Sequence, residues 1–237
     1  MKWGSFGVVH IASLALGAAL IIGLYFALRK ASRKVQTLVL GVLSFSGMAA
    51  VVYNLLRWGS PLEYLPLHLC SLNALVLPAA VFTRNKTLGN LLLLWSLGAL
   101  AAVVVNTAQA EFEIFSSVFA FYFFPHVLEF GIPILLFKLG LVEKDPKCIL
   151  PTIGITMGTY TLIHFINLLI NDYCAAKGMD ITVNYMYSTG PEIPLMQLFY
   201  SIIPSPYWYM YCIVPIIAVY LAAVYAPQFL RKAKKVA

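Results

Sequence analysis

Apolar residues in this chain are gathered into long unbroken runs, with polar positions concentrated between them. Seven runs, roughly 6–28, 36–56, 62–82, 88–106, 115–137, 149–171 and 207–229, are each long enough to cross a bilayer, since a hydrocarbon core of ~30 Å takes about 20 helical residues. In lipid every backbone N–H and C=O needs an internal partner, and no strand-like alternation suggests a barrel, so the runs predict helices. No fixed period marks a repeat and no linker marks a boundary. The expectation is one all-α polytopic bundle of seven transmembrane helices over residues 1–237. Between the last two runs lies a long segment, 172–206, whose apolar and aromatic content suits a packed lid. Within it, 195–203 predicts a short interfacial helix, and Tyr207-Trp208-Tyr209 fits an aromatic belt where the last span begins.

Composition supports this. The chain is 61% hydrophobic and 11% charged, with a mean hydropathy of +0.86, whereas a soluble domain has about a quarter charged residues. The net charge of +7 sits in short basic clusters between the apolar runs. That is the pattern of topology signals, and it excludes nucleic acid as the expected partner. The first run is too long for a signal-peptide core, and its basic cluster follows it, so it reads as a retained span.

Counting Lys and Arg loop by loop orients the bundle. With the first loop inside, the inner side collects thirteen basic residues and the outer side three, namely Lys2, Arg57 and Lys177. The positive-inside rule then places the N-terminus outside and the C-terminus in the cytoplasm, as in a multi-pass plasma (cytoplasmic) membrane protein.

Orientation gives each polar residue a depth. Cys70 lies about 12 Å from the outer surface, His126 about 16 Å and His164 about 10 Å, at 1.5 Å per helical residue. Glu129 would lie deeper, at about 20 Å, as a floor. His10 and Asn106 fall near the outer ends of their spans. A lone membrane cysteine is usually a packing residue, but Cys70 has company, with Asn73 at i+3 on its own helix face. His68 stands about 200° round a regular helix from Cys70 and could not serve it as a base. His126 and His164 are both candidates. His126 and Glu129, spaced i, i+3, can touch, so that Glu129 would orient the imidazole as a general base. Thr161, His164, Asn167 and Asn171 form one polar stripe, suited either to helix contacts or to a headgroup.

Cys174 and Cys212 share a side in this topology, where a disulfide could form, and Cys148 reads as inert. There is no metal-type cysteine spacing, GxSxG, P-loop, Rossmann fingerprint or HExxH.

Four short segments carry a resemblance. His68-Leu69-Cys70 after Pro66, Phe124-Pro125-His126, Asn184-Tyr185-Met186-Tyr187 and the aromatic run from Pro204 to Tyr209 resemble the YwaF-type bacterial integral membrane proteins. That family is related to a vertebrate membrane acyltransferase of ether phospholipids. The resemblance implies Cys70 as acyl-carrying nucleophile, His126 as its base, membrane phospholipids as substrate, and neither cofactor nor metal. The chemistry of the residues is compatible, since a thiolate beside an imidazolium attacks esters and thioesters. Asn73, Asn106 or Asn167 could donate to an oxyanion. His68, His164, Asn184 and Tyr185 complete the expected substrate-binding set. Two rival classes compete with acyl transfer. One is a metal-dependent lipid hydrolase with His68, His126, His164 and Glu129 as ligands; the other is a carrier or receptor whose polar core binds a small solute.

Overall fold

The computed structural model describes residues 1–105 and 107–236, and the side chains of all of these except Thr107 and residues 230 onward. Among the described residues the chain is helical and without named strands. The helices are α1 (Val8–Leu28), α2 (Arg33–Arg57), α3 (Leu69–Thr83), α4 (Lys86–Val104), α5 (Ser117–Lys138), α6 (Ile149–Ala176), α7 (Pro194–Ile202) and α8 (Ile213–Val236). Among the described residues six segments are long and apolar enough to cross a membrane: α1, α2, α4, α5, Pro146–Ala176 and Trp208–Phe229. The short helix expected at 195–203 is α7.

The third expected span differs. Residues 62–82 are not one helix but a 3-10 turn at Pro61–Glu63, an irregular stretch, and then the 15-residue α3. Pro66 is the physical reason. It disfavours the helical region for the residue before it and has no N–H to give. The chain instead makes a tight turn about Pro66, with Leu67 N–H donating to Leu65 C=O at 2.7 Å. At 1.5 Å per residue α3 is about 22 Å long, short of a full crossing.

The chain divides into two compact units, Met1–Arg57 with Leu69–Lys144, and Trp58–His68 with Asp145–Ala237. In the first, α1 to α5 run up and down around a core that includes Leu77, Leu92, Ile132 and Leu136. At one end the N-terminal residues pair with the α4–α5 connection: Trp3 N–H donates to Phe112 C=O and Gly4 N–H to Ala110 C=O, both at 2.8 Å. There Glu111 pairs with Lys2 and holds it above the ordinary lysine value, chiefly through their hydrogen bond. His10 is fully buried beside this strap, accepting from Phe6 N–H at 2.9 Å and donating to Val103 C=O at 2.7 Å. Both ring nitrogens are used, so His10 is architectural.

At the opposite end of the same unit, Arg84 donates to Thr37 Oγ1 at 2.6 Å and to Arg33 C=O at 3.4 Å. Arg33 in turn donates to Gly140 C=O at 3.2 Å. The α1–α2, α3–α4 and α5–α6 connections therefore share one end, where most of the unit's basic residues lie.

Candidate functional site

Two groups of polar residues lie in the two units, and they are built differently. In the first unit Cys70 is the second residue of α3 and half-buried. It thus stands at a helix start, not two turns into a span as expected from the sequence. One turn on, Asn73 is fully buried. Its Nδ2 donates to the backbone carbonyl of Glu129 on α5 at 3.2 Å. That carbonyl is available because Pro133, four residues later in α5, has no N–H to offer it. The proline opens the ladder, and an amide from the neighbouring helix fills the vacancy.

His126 stands one position after Pro125 in the same helix. Its Nδ1 lies 2.6 Å from the carbonyl of Tyr122, and its ring 4.5 Å from the Tyr122 ring. A carbonyl only accepts, so Nδ1 carries the hydrogen and the neutral ring has its lone pair on Nε2. Tyr122 is itself held to α4, donating from its hydroxyl to Ala102 C=O at 2.9 Å. The imidazole is therefore oriented through Tyr122, whereas the sequence suggested Glu129.

Glu129 is buried, and its Oε2 has no hydrogen-bond partner among the described residues. It lies within electrostatic range of both His126 and Cys70. Its other oxygen faces Gly47 of α2. A Cβ at position 47 would run into Glu129 Oε1 and would meet Ala74 Cβ at 2.6 Å. Only glycine lets α2 approach this closely. Asn73 Oδ1 and Ser46 Oγ are likewise buried without partners. Buried polar atoms nearly always find a partner, so these three atoms near the α2–α3–α5 junction call for a functional account.

In the second unit the polar stripe of α6 is saturated. Asn171 donates to Val183 C=O at 3.0 Å and accepts from Val183 N–H at 2.7 Å. Asn167 does the same with Tyr185, at 2.8 and 3.0 Å. The registers match physically. Four residues of helix rise about 6 Å and two of extended chain about 6.6 Å, so two amides at i, i+4 clasp two backbone units at j, j+2. Further along, Asn167 also donates to Ser188 Oγ at 2.8 Å, and Ser188 Oγ lies 3.2 Å from His164 Nδ1. Thr161 Oγ1 is 2.8 Å from the Tyr207 hydroxyl.

The clasped segment is fixed from its other side too. His68 Nδ1 accepts from Met186 N–H at 3.4 Å, with its ring 5.1 Å from that of Tyr185. The Tyr185 hydroxyl donates to Leu62 C=O and accepts from Leu65 N–H. Burial raises this phenol above the usual tyrosine value, with the Glu63 charge adding and the Leu65 amide opposing. Asn184 donates to Gly190 C=O and Glu192 Oε1, both at 2.8 Å, and accepts from Thr189 N–H. Met186 and Tyr187 have positive φ, at 54° and 56°, strained values that persist only where the surroundings over-determine them.

Of the residues singled out from the sequence, Cys70, Asn73, His126 and Glu129 thus fall in the first unit. His68, His164, Asn167, Asn184 and Tyr185 fall in the second, where they hold the 183–190 segment. Asn106 lies outside the described residues. Among the described residues no three His, Cys, Asp or Glu side chains form a metal-ligand set, and all four cysteines are free thiols. Sequence reasoning missed Gly47, Tyr122 and Ser188. For Gly47 a signal existed: Gly41, Ser44, Gly47 and Ala50 are small and buried at intervals of three, the mark of close helix packing in membranes. A sequence model of the TMEM164 family, a family of membrane proteins, matches residues 5–225. No curated protein and no solved structure matches the chain.

Proposed function

The chain belongs to the TMEM164 family, and we propose that it is a membrane-embedded acyltransferase that moves phospholipid acyl chains through a thioester on Cys70. In the first half-reaction the Cys70 Sγ attacks the carbonyl carbon of a lipid ester while His126 Nε2 takes the thiol proton. The ester C–O bond breaks, and the departing lysophospholipid oxygen receives that proton. In the second half-reaction a lipid hydroxyl attacks the thioester carbonyl, giving its proton to His126, and the sulfur leaves and is reprotonated. Each half exchanges one bond for another and needs no cofactor. An ionised Glu129 would favour the imidazolium formed in both halves, and Asn73 stands on the face of α3 that carries Cys70.

The observation carrying this reading is that Cys70, a histidine whose Nδ1 is committed to the Tyr122 carbonyl, and a buried carboxyl within electrostatic range of both belong to one compact unit. His164 belongs to the other compact unit, where its Nδ1 lies 3.2 Å from Ser188 Oγ. The substrate would be a membrane phospholipid approaching from the outer leaflet of the plasma membrane. The chain would have seven spans, with α3 and the residues just before it as the third, and the N-terminus outside. The grouping of basic connections at one end of the first unit supports that orientation.

The test is the rate of Cys70 alkylation against pH in detergent. His126→Ala should shift the profile by a unit or more, ~1.4 kcal/mol, and His164→Ala should leave it in place. The reverse result would reassign the base.

A further inference from the structure

Outside the polar site, the first unit carries an open groove of about 540 Å³. Phe45, Met48, Val52 and Leu56 of α2 form one wall and Phe121 of α5 the other. Its ends are unlike. The inner end is Phe45, the midpoint of α2, with its ring 6.2 Å from that of Phe82. Toward the outer end Tyr53 lines it, with its ring stacked on that of Phe121 at 4.3 Å and 8° and its hydroxyl 2.8 Å from Ser117 Oγ. Just beyond stands Arg57, the last residue of α2, with its guanidinium 5.9 Å from the Tyr53 ring.

We propose that this groove seats one acyl chain of a phospholipid whose phosphate rests on Arg57. Length argues for it: from Phe45 to Arg57 is twelve residues, about 18 Å of helix, against about 15 Å for half of a ~30 Å hydrocarbon core. The groove is therefore one leaflet deep. Charge argues for it as well. Arg57 is the basic residue at the helix end where the groove opens, exposed at the depth where a phosphate would sit, and guanidinium forks match phosphate oxygens. The lining is otherwise apolar, as a chain requires. Phe121 precedes His126 by five residues, about 7.5 Å of rise, so the groove and the reacting histidine share one helix. As a substrate seat this rests on the acyl-transfer reading; as a binding site it does not.

The experiment reconstitutes the full chain in vesicles of zwitterionic phospholipid with a phosphatidylcholine bearing a diazirine on its chain, and in parallel with a diacylglycerol bearing the same chain. Photolysis and peptide mapping should place the phosphatidylcholine adducts on residues 45–56 and Phe121. Ala49→Trp, which fills the groove from an exposed position, should remove them, and Leu16→Trp on the exposed face of α1 should not. Arg57→Gln should cut the phosphatidylcholine yield roughly tenfold, to the diacylglycerol level, as expected for one lost charge-assisted contact. Adducts spread equally over α1, or a yield indifferent to both Ala49→Trp and Arg57→Gln, would overturn the seat. Groove adducts without an acyl mass on Cys70 keep the seat and overturn acyl transfer. An acyl mass on Cys70 without groove adducts does the opposite.

Discussion

Two polar clusters, one in each unit, treat their buried atoms in opposite ways. In the second, the amides of Asn167 and Asn171 and the hydroxyl of Ser188 are spent on holding backbone. In the first, Glu129 Oε2, Asn73 Oδ1 and Ser46 Oγ are buried with nothing to bond. Saturated polar groups stabilise a shape, and here the shape includes two strained residues, Met186 and Tyr187. Unsaturated ones cost stability and persist where something else needs them. The difference separates residues that look alike in sequence: Asn73, one turn along from a cysteine, and Asn167, one turn along from a histidine.

The comparison breaks most visibly at Asn167. Replacing it with alanine strips both Tyr185 N–H and Tyr185 C=O of partners, a loss of about 2–6 kcal/mol at about 1–3 for each orphaned group. Hydrogen exchange over 183–190 should rise steeply. Asn73→Ala, its counterpart in the first unit, removes one such bond and should cost about 1 kcal/mol; equal costs for the two would erase the distinction. Next comes Gly47→Ala, expected to lower stability by about 1–3 kcal/mol through overpacking, read by thermal unfolding in detergent. Glu129→Ala in the same chain should restore part of that loss, since the two sites share one space.

A smaller effect follows from Tyr185. Its phenol is raised above the usual 10.0, chiefly by burial. A raised value means the protonated, hydrogen-bonded form is fully present below pH 10.0 and is lost as pH rises through the folded-state value. Exchange at 183–190 should therefore accelerate only on the alkaline side, and Tyr185→Phe should flatten that limb. The smallest effect is at the Lys2–Glu111 pair, exposed at 65% and 76%. Lys2→Met should leave the unfolding temperature unchanged, because exposed pairs contribute little.

Much of this was legible in the runs of apolar residues. Helix locations follow from the length of chain that lipid demands, so α1, α2, α4, α5 and α6 fall close to their expected limits. The start of the third helix differs because the leucines around Pro66 extend the apolar run, whereas backbone sterics bar a helix there. Candidate chemistry was legible as residue types, since imidazoles, amides and a carboxyl are rare in such segments. Their partners were not. The bond from Asn73 to Glu129 C=O depends on a carbonyl freed by Pro133, and the clasp on Val183 and Tyr185 depends on a match of helical and extended rises. Both pair a side chain with a backbone far away in the chain, and no periodicity encodes that.

The most direct test of the central claim is the intact mass of the purified chain after incubation with phospholipid. The account predicts an added acyl mass that maps to Cys70, is removed by neutral hydroxylamine, is absent in Cys70→Ala and His126→Ala, and persists in His164→Ala. An acyl mass on another residue, or full transfer activity in Cys70→Ala, would contradict it.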